Sequence, residues 1–414
     1  MVKDVRDALP FRMVKRADIT QARAWAIRLI AIALALLTGG AFVAALGYDP
    51  IGIYATAITG SLGSKMSLEL TAKLAIPLLI TSLGVTLAFK MRFWNIGAEG
   101  QICVGAIAAT YFALNHADWP QVVLLVTMAL AGIVAGGLYG MIPAYFKSRF
   151  GTNETLLTLM LNYVALYAIQ ALQQGVWRDP SQQGFFKIAR FPKVARLPEV
   201  FGVHIGWIAA LILVGLVYVY LRHSKQGYEL TVVGENEATA RYAGMHVKRV
   251  VLRTMFISAG IAGLAGMLQA SGADKTLNDT VAGGVGFTAI AVAWLARLNP
   301  FGMLVVSVLF FIALGKAVWS WQFVLLLLPI LFIHELGHFA AMRLFRYQNV
   351  RMFFIPLFGA AVAGHHYNVP GWKKVIVSLS GPLPGIFLAA ALGVLAMAYD
   401  IPWLLAGAML TVLV

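Results

Sequence analysis

Apolar residues in this chain come in long, almost uncharged runs separated by short polar stretches. The pattern has neither the period-two alternation of half-buried strands nor the narrow apolar stripe of a helix that faces water. The first run, Leu29 to Gly47, is 19 residues without a charge, the length of a bilayer-crossing helix. Further runs follow at 74 to 89, 101 to 114, 122 to 146, 154 to 172, 207 to 221, 254 to 270, 285 to 296, 301 to 315, 322 to 342 and 375 to 398. They predict an all-α, polytopic integral membrane protein of about eleven transmembrane helices.

Charge orients these spans. Residues 1–28 carry seven basic side chains (Lys3, Arg6, Arg12, Lys15, Arg16, Arg23, Arg28) against three acids, and basic flanks stay in the cytoplasm. A signal peptide has an apolar stretch of only about 7 to 15 residues, so the segment reads as a retained anchor behind a basic cytoplasmic N-terminus. Alternating the spans from there places Lys90 and Arg92, Lys147 and Arg149, the stretch 222–253, Arg297, and Arg343 with Arg346 and Arg351 on the inner side. The predicted location is the plasma membrane of the cell, with the lipid bilayer as surroundings. One loop dissents: 173–206 falls outside yet carries Arg178, Lys187, Arg190, Lys193 and Arg196, and longer loops obey the charge rule less strictly.

Composition sharpens the picture. Of 414 residues 60% are hydrophobic and 12% charged, against about 25% charged in soluble domains. The net charge of +15, in so apolar a chain, belongs to loops that orient spans, and no nucleic-acid partner is expected. A lone cysteine, Cys103, excludes an internal disulfide and a cysteine-rich metal cluster. Gly132, Gly136 and Gly140, and again Gly260, Gly263 and Gly266 with Ala259 and Ala262, form small-residue faces of the kind that pack membrane helices closely.

Three polar features stand out before residue 310. Phe93-Trp94-Asn95-Ile96-Gly97-Ala98-Glu99-Gly100-Gln101 is either a broken, re-entrant segment lining a water-filled cavity or a plain turn; Asn95 and Glu99 are its candidates for a substrate pathway. Gly151-Thr152-Asn153-Glu154 opens a helix with a cap and a first-turn acid. Asn162 and Gln170 then share one side of that span, facing a solute path or bonding a neighbouring helix. Within 222–253, Gly234-Glu235-Asn236-Glu237-Ala238-Thr239-Ala240-Arg241-Tyr242-Ala243-Gly244 predicts one short helix outside the membrane, acidic at its start and closed by glycine. It is a docking knob or a solvated connector.

These residues, with Leu161-Asn162-Tyr163, Gly286-Phe287-Thr288-Ala289-Ile290-Ala291-Val292-Ala293 and Asn299-Pro300-Phe301-Gly302, resemble the permease subunits of ABC importers of the branched-chain amino acid, ribose and nucleoside branch, most of all the nucleoside type, over about residues 20–310. The resemblance implies paired permeases, so a second permease copy, working with an ATP-binding cassette subunit and a solute-binding protein. It makes the segment with Glu235, Glu237, Ala240, Arg241 and Gly244 the coupling helix that meets the ATPase. No G-x-x-x-x-G-K-[ST] occurs, so the chain has no ATP site of that type.

The last quarter carries different chemistry. In Phe332-Ile333-His334-Glu335-Leu336-Gly337-His338-Phe339, two histidines four apart share a helical face and suit zinc, with Glu335 as base for a bound water. The alternative is a satisfied polar cluster between helices. With Phe358-Gly359-Ala360-Ala361-Val362, the loop His365 to Trp372, and Ser380-Gly381-Pro382-Leu383-Pro384-Gly385, this region resembles the site-2 protease family of intramembrane zinc peptidases. That implies His334 and His338 as zinc ligands and Glu335 as the catalytic residue. The family's third ligand, an aspartate in a Leu-Asp-Gly stretch, is absent, and His365, His366 and Asp400 do not match its position. About 12 apolar residues follow from Trp403, fewer than a span needs, so the last span reads as cut off.

The expected organisation is a basic N-terminus at 1–28, a permease-like domain at 29–310 and a truncated protease-like domain at 311–414, joined without a linker as in a hybrid sequence. The expected function is a permease subunit for a nucleoside- or sugar-like solute. The rival is a membrane-embedded zinc metalloprotease, or an inactive hybrid of the two.

Overall fold

The apolar runs fold as helices, because a chain this poor in polar side chains must satisfy its backbone N–H and C=O groups within each segment. The computed structural model describes residues 20–45, 47, 49–180, 186–314, 321–355, 359–365 and 370–387. These divide into two units, residues 52–316 and residues 1–51 with 317–414. Helix α1 (Gln21–Ala45) belongs to the second unit.

The larger unit begins within α2 (Pro50–Leu62), a helix the apolar pattern did not predict, and continues with α3 (Lys65–Lys90), α4 (Ala98–Asn115), α5 (Gln121–Phe150) and α6 (Glu154–Gln174). After a docked loop come α7 (Gly206–His223), α8 (Lys225–Glu235), α9 (Glu237–Tyr242), α10 (Val247–Leu268), α11 (Val285–Leu295) and α12 (Pro300–Leu314). Among the described residues five helices are long and apolar enough to cross a membrane: α3, α5, α6, α7, and α10 with its extension to Asp274. At about 1.5 Å per residue, α11 with 11 residues is roughly half the length a 30 Å hydrocarbon core demands.

The core is a crossing of α4, α5 and α10 at their glycines. A Cβ on Gly105 would overlap the Gly263 backbone, one on Gly136 would lie 2.7 Å from the Ala259 carbonyl oxygen, and one on Gly266 would overlap the Ile102 carbonyl. The small-residue faces thus bring backbone against backbone, as dispersion contacts between membrane helices require.

The unit has two polar ends. At one, Gly234 of α8 packs on the Lys90 carbonyl, Lys147 pairs with Glu154, and Arg253 pairs with Glu229 at 2.9 Å. At the other, the basic loop after α6 is docked onto the extension of α10. The Phe191 N–H donates to the Lys275 carbonyl at 2.9 Å and the Leu197 N–H to Ser271 at 3.2 Å; Phe191, Ala195 and Leu197 are buried. This loop's cations therefore sit on a folded cap, which ends in the hairpin β1 (Glu199–Val200) and β2 (Val203–His204).

The smaller unit corrects the all-α expectation further. Between α13 (Trp321–Leu344) and α14 (Gly371–Leu379) lie β3 (Gln348–Ile355) and β4 (Gly359–His365), paired antiparallel from Ile355–Gly359 out to Gln348–His365. The strand segment Gln348–Ile355 shows no sustained polar–apolar alternation, so period alone does not mark it as a strand. Strands are thus a minor element of a mostly helical fold.

Candidate functional site

The stretch 91–97 breaks the helical ladder between α3 and α4, and its orphaned backbone groups are met by side chains. The Asn95 and Gln101 amides exchange two hydrogen bonds, Asn95 Nδ2 to Gln101 Oε1 at 3.2 Å and Gln101 Nε2 to Asn95 Oδ1 at 3.1 Å. The Gly97 N–H donates to Asn95 Oδ1 at 3.0 Å. From α6, Asn162 Nδ2 donates to the Ile96 carbonyl at 2.9 Å while its Oδ1 accepts from the Gly100 N–H at 2.8 Å, and Thr158 Oγ1 accepts from the Ile96 N–H at 3.2 Å. Asn95, Gln101 and Asn162 are all buried. Of the two roles the sequence left open for Asn162, the structure displays the bonding one.

Glu99 holds a more distant element. Its carboxylate oxygens accept from the Gly284 and Gly286 N–H groups, each at 2.7 Å, across 185 and 187 residues. Those N–H groups open α11, and Gly284 has φ +80°, a conformation natural to glycine. A carboxylate on the first turn satisfies orphan donors and favours the positive end of the helix dipole. Asn95, Glu99 and Asn162 thus have their polar groups engaged within the bundle.

At the end that carries α8 and α9, the predicted single helix from Glu235 to Gly244 is two. Asn236 interrupts it: its Oδ1 accepts from the Ala238 N–H at 2.9 Å and the Thr239 N–H at 3.1 Å, an N-cap that starts α9 at Glu237. Glu235 is therefore the last residue of α8. Ala240 is buried, Arg241 pairs with Glu237 at 3.4 Å, and Gly244 at φ +78° turns the chain out of the helix. Tyr242, which the sequence reading did not single out, is 97% exposed at the tip. Beside α9 opens a cavity of about 660 Å³ lined by Trp94, Lys147, Glu154, Glu237, Arg241 and Lys248, among others. Trp94 also stacks on Trp294 of α11, ring centroids 6.2 Å apart and 25° from parallel. One indole thus touches both the cavity beside α9 and the helix that Glu99 caps.

At the opposite end His204 is 1% exposed, wedged against Gly206 and Gly272, with no hydrogen-bond partner at either ring nitrogen. Burial, with Lys73 and Lys275 nearby, lowers its pKa to about 4 against the opposing pull of Glu199. The Glu199 carboxyl is in turn held below its ordinary value, chiefly by the hydrogen bond from Lys275 Nζ at 3.1 Å.

In the smaller unit, His334 and His338 lie one turn apart on α13 with ring centroids 5.0 Å apart. His338 Nδ1 is 2.7 Å from the Val377 carbonyl, which only accepts, so Nδ1 donates there while the Nε2 side of the ring packs against Gly381. Glu335 takes a backbone N–H from Val362 of β4. α13 and the segment after α14 approach closely: a Cβ on Gly337 would overlap the Ser380 carbonyl, and one on Gly381 would overlap the His338 ring. Among the described residues, however, no three His, Cys, Asp or Glu side chains gather to hold a metal, whereas a catalytic zinc takes three protein ligands. The described residues do not complete a zinc site. The side chain of His365, and His366 and Asp400 altogether, lie outside the described residues.

Residues 67–334 match the family described as the branched-chain amino acid transport system permease component, and residues 322–404 match peptidase family M50. The chain is 35% identical over 290 residues to the glucose ABC transporter permease protein TsgB13 of Haloferax volcanii, covering 66% of this chain and 75% of that protein. It is 32% identical over 291 residues to the guanosine ABC transporter permease protein NupP of Bacillus subtilis (68% and 82% covered). To the nucleoside ABC transporter permease protein NupB of Lactococcus lactis it is 30% identical over 295 residues (69% and 81%). No solved structure matches.

Proposed function

The chain belongs to the permease family of the branched-chain amino acid transport system, and on that premise we propose that it carries a neutral nucleoside- or sugar-like solute through the plasma membrane as half of a permease pair. In this reading the N-terminus is cytoplasmic, about eleven spans cross the bilayer, residues 1–28 are the basic head, 29–310 the permease and 311–414 a protease-like appendage. The observation that carries the proposal is α9: a capped helix with an exposed Tyr242 at its tip, sharing a cavity with Trp94, which stacks on Trp294 of the half-length helix α11. An ATP-binding cassette subunit seated on Glu237, Arg241 and Tyr242 would push on Trp94. Asn95, Glu99 and Asn162 then fix the shape of the pathway wall, and a solute-binding protein delivers the solute at the other end.

The test is ATP-dependent uptake of labelled glucose and guanosine into vesicles holding the chain with an ATPase subunit and binding protein from the same cell. Uptake and ATPase co-purification should both fall at least tenfold in the double variant Arg241→Glu, Tyr242→Ala. Uptake indifferent to ATP would refute the importer assignment.

A second reading, intramembrane proteolysis, is favoured by the two histidines one turn apart on α13 with Glu335 between them and by the match of residues 322–404 to peptidase family M50. When bound, zinc would supply a polarised water to Glu335, with His334 and His338 as two of its ligands. Metal-dependent cleavage of a membrane substrate, lost in Glu335→Gln, is its signature.

A further inference from the structure

α6 and α10 each run the length of the larger unit: their first turns line the cavity beside α9, through Glu154 and Val247, and their far ends meet at a second cavity. That cavity, about 520 Å³, lies under the docked loop and is lined by Gln173, Lys187, Arg190, Asp274 and Asn278 among others, with Ile188 and Leu277 as apolar floor. Its volume falls within the usual range for small-molecule sites, about 300 to 1,000 Å³.

The cavity is built around an irregularity. α10 does not end at Leu268 but widens into a π-helical stretch, Gln269–Asp274, a form that is uncommon and concentrates at functional sites. The widening carries Asp274 to the cavity. Asp274 Oδ1 accepts from Gln269 Nε2 at 3.0 Å and Oδ2 from Asn278 Nδ2 at 3.3 Å. Each oxygen retains a further lone pair. The loop is fastened over the site by Phe191 N–H to Lys275 O and by Thr276 Oγ1 to Ile188 O at 3.1 Å.

We infer that this cavity is a solute site on the permease itself, selective for neutral polyhydroxylated molecules such as the sugar ring of a hexose or pentose. The inference rests on the importer reading and deepens it. Both charge signs line the space, so an anion would meet Asp274 and a cation would meet Arg190. A neutral polyol offers hydroxyl donors to the carboxylate and hydroxyl acceptors to the guanidinium and amides at once. A solute handed over at this end therefore binds by its sugar hydroxyls before it enters the bundle.

The test uses the purified full-length chain in lipid nanodiscs, equilibrium binding of labelled D-glucose, D-ribose and guanosine, and co-purification of the ATPase subunit as a separate readout. Saturable binding of glucose or ribose is expected, weakened at least tenfold in Asp274→Asn and in Arg190→Gln. Both variants should stay monodisperse; the second touches no hydrogen bond of the π-helical stretch. Absence of saturable sugar binding, or equal binding in both variants, overturns the inference. Guanosine binding more than tenfold tighter than ribose overturns the polyol class. If the ATPase co-purifies while sugars fail to bind, only this inference falls; if sugars bind and no ATPase does, only the importer reading falls.

Discussion

Two clusters of amides, carboxylates and imidazoles lie within helical surroundings in this chain, and they treat their polar atoms in opposite ways. Around Asn95, Glu99 and Asn162 every side chain is tied to a neighbouring backbone or amide, and the ties bridge α4, α6 and α11. Around His334, Glu335 and His338 the ties described are single ones to the backbone, His338 Nδ1 to the Val377 carbonyl and the Val362 N–H to Glu335. Unmet polar groups are expensive away from water. A set of bonds that bridges three helices therefore marks architecture. Polar residues in a membrane span are not all sites; the hydrogen-bond partners decide.

The comparison breaks first at the frame beneath it. Gly263→Val should abolish recovery of folded protein, since the added carbons meet the Gly132 carbonyl and Gly136 and overpacking costs about 3 kcal/mol or more where backbone cannot yield; monodisperse yield after detergent extraction is the measure. The pH arm sharpens the opposite end. The His204 pKa of about 4 lies below the ordinary 6.5, so the folded state favours the neutral ring and the unfolded state takes up the proton first. Stability is full above pH 6.5 and declines as pH falls to 4, by roughly 3 kcal/mol at the limit. Thermal unfolding across that window should flatten in His204→Gln.

A matched pair tests the two clusters directly. Glu99→Gln should cost about 2 to 3 kcal/mol, because an amide offers one acceptor oxygen where two N–H groups wait and a charge-assisted bond is lost. The same change at Glu335 keeps an acceptor for the one Val362 N–H and should cost under about 1 kcal/mol. Equal losses in chemical unfolding would dissolve the distinction. The smallest expected signal is zinc: well under one ion per purified chain, unchanged in His334→Ala. Near-stoichiometric zinc that vanishes in that variant would place a third ligand among residues outside those described.

How much of this was legible follows from the range of each interaction. Long apolar runs and glycine spacing are local signals, and they marked the long helices and the small-residue faces of α5 and α10, while the partnership of those faces with Gly105 of α4 came only with the structure. A cap at Thr152 or Asn153 was readable because such bonds are local, and Asn153 takes it, with the Thr155 and Leu156 N–H groups two and three residues on. Asn236 is as local, but the acids on either side of it concealed the break, so Glu235 was assigned to the wrong helix. The Glu99 clamp spans some 185 residues, and nothing in a linear pattern pairs a carboxylate with two distant backbone N–H groups. The hairpin β3–β4 and the placement of Asp274 by a π-helical stretch were likewise invisible, because both depend on tertiary packing rather than on period.

The glycine crossing has a hereditary consequence. Every missense change in a glycine codon adds at least one carbon, and at Gly105, Gly136, Gly263 and Gly266 that carbon has no room. A gene encoding this helix trio can vary its lipid-facing leucines and valines freely, yet at those four codons it drifts only among synonyms.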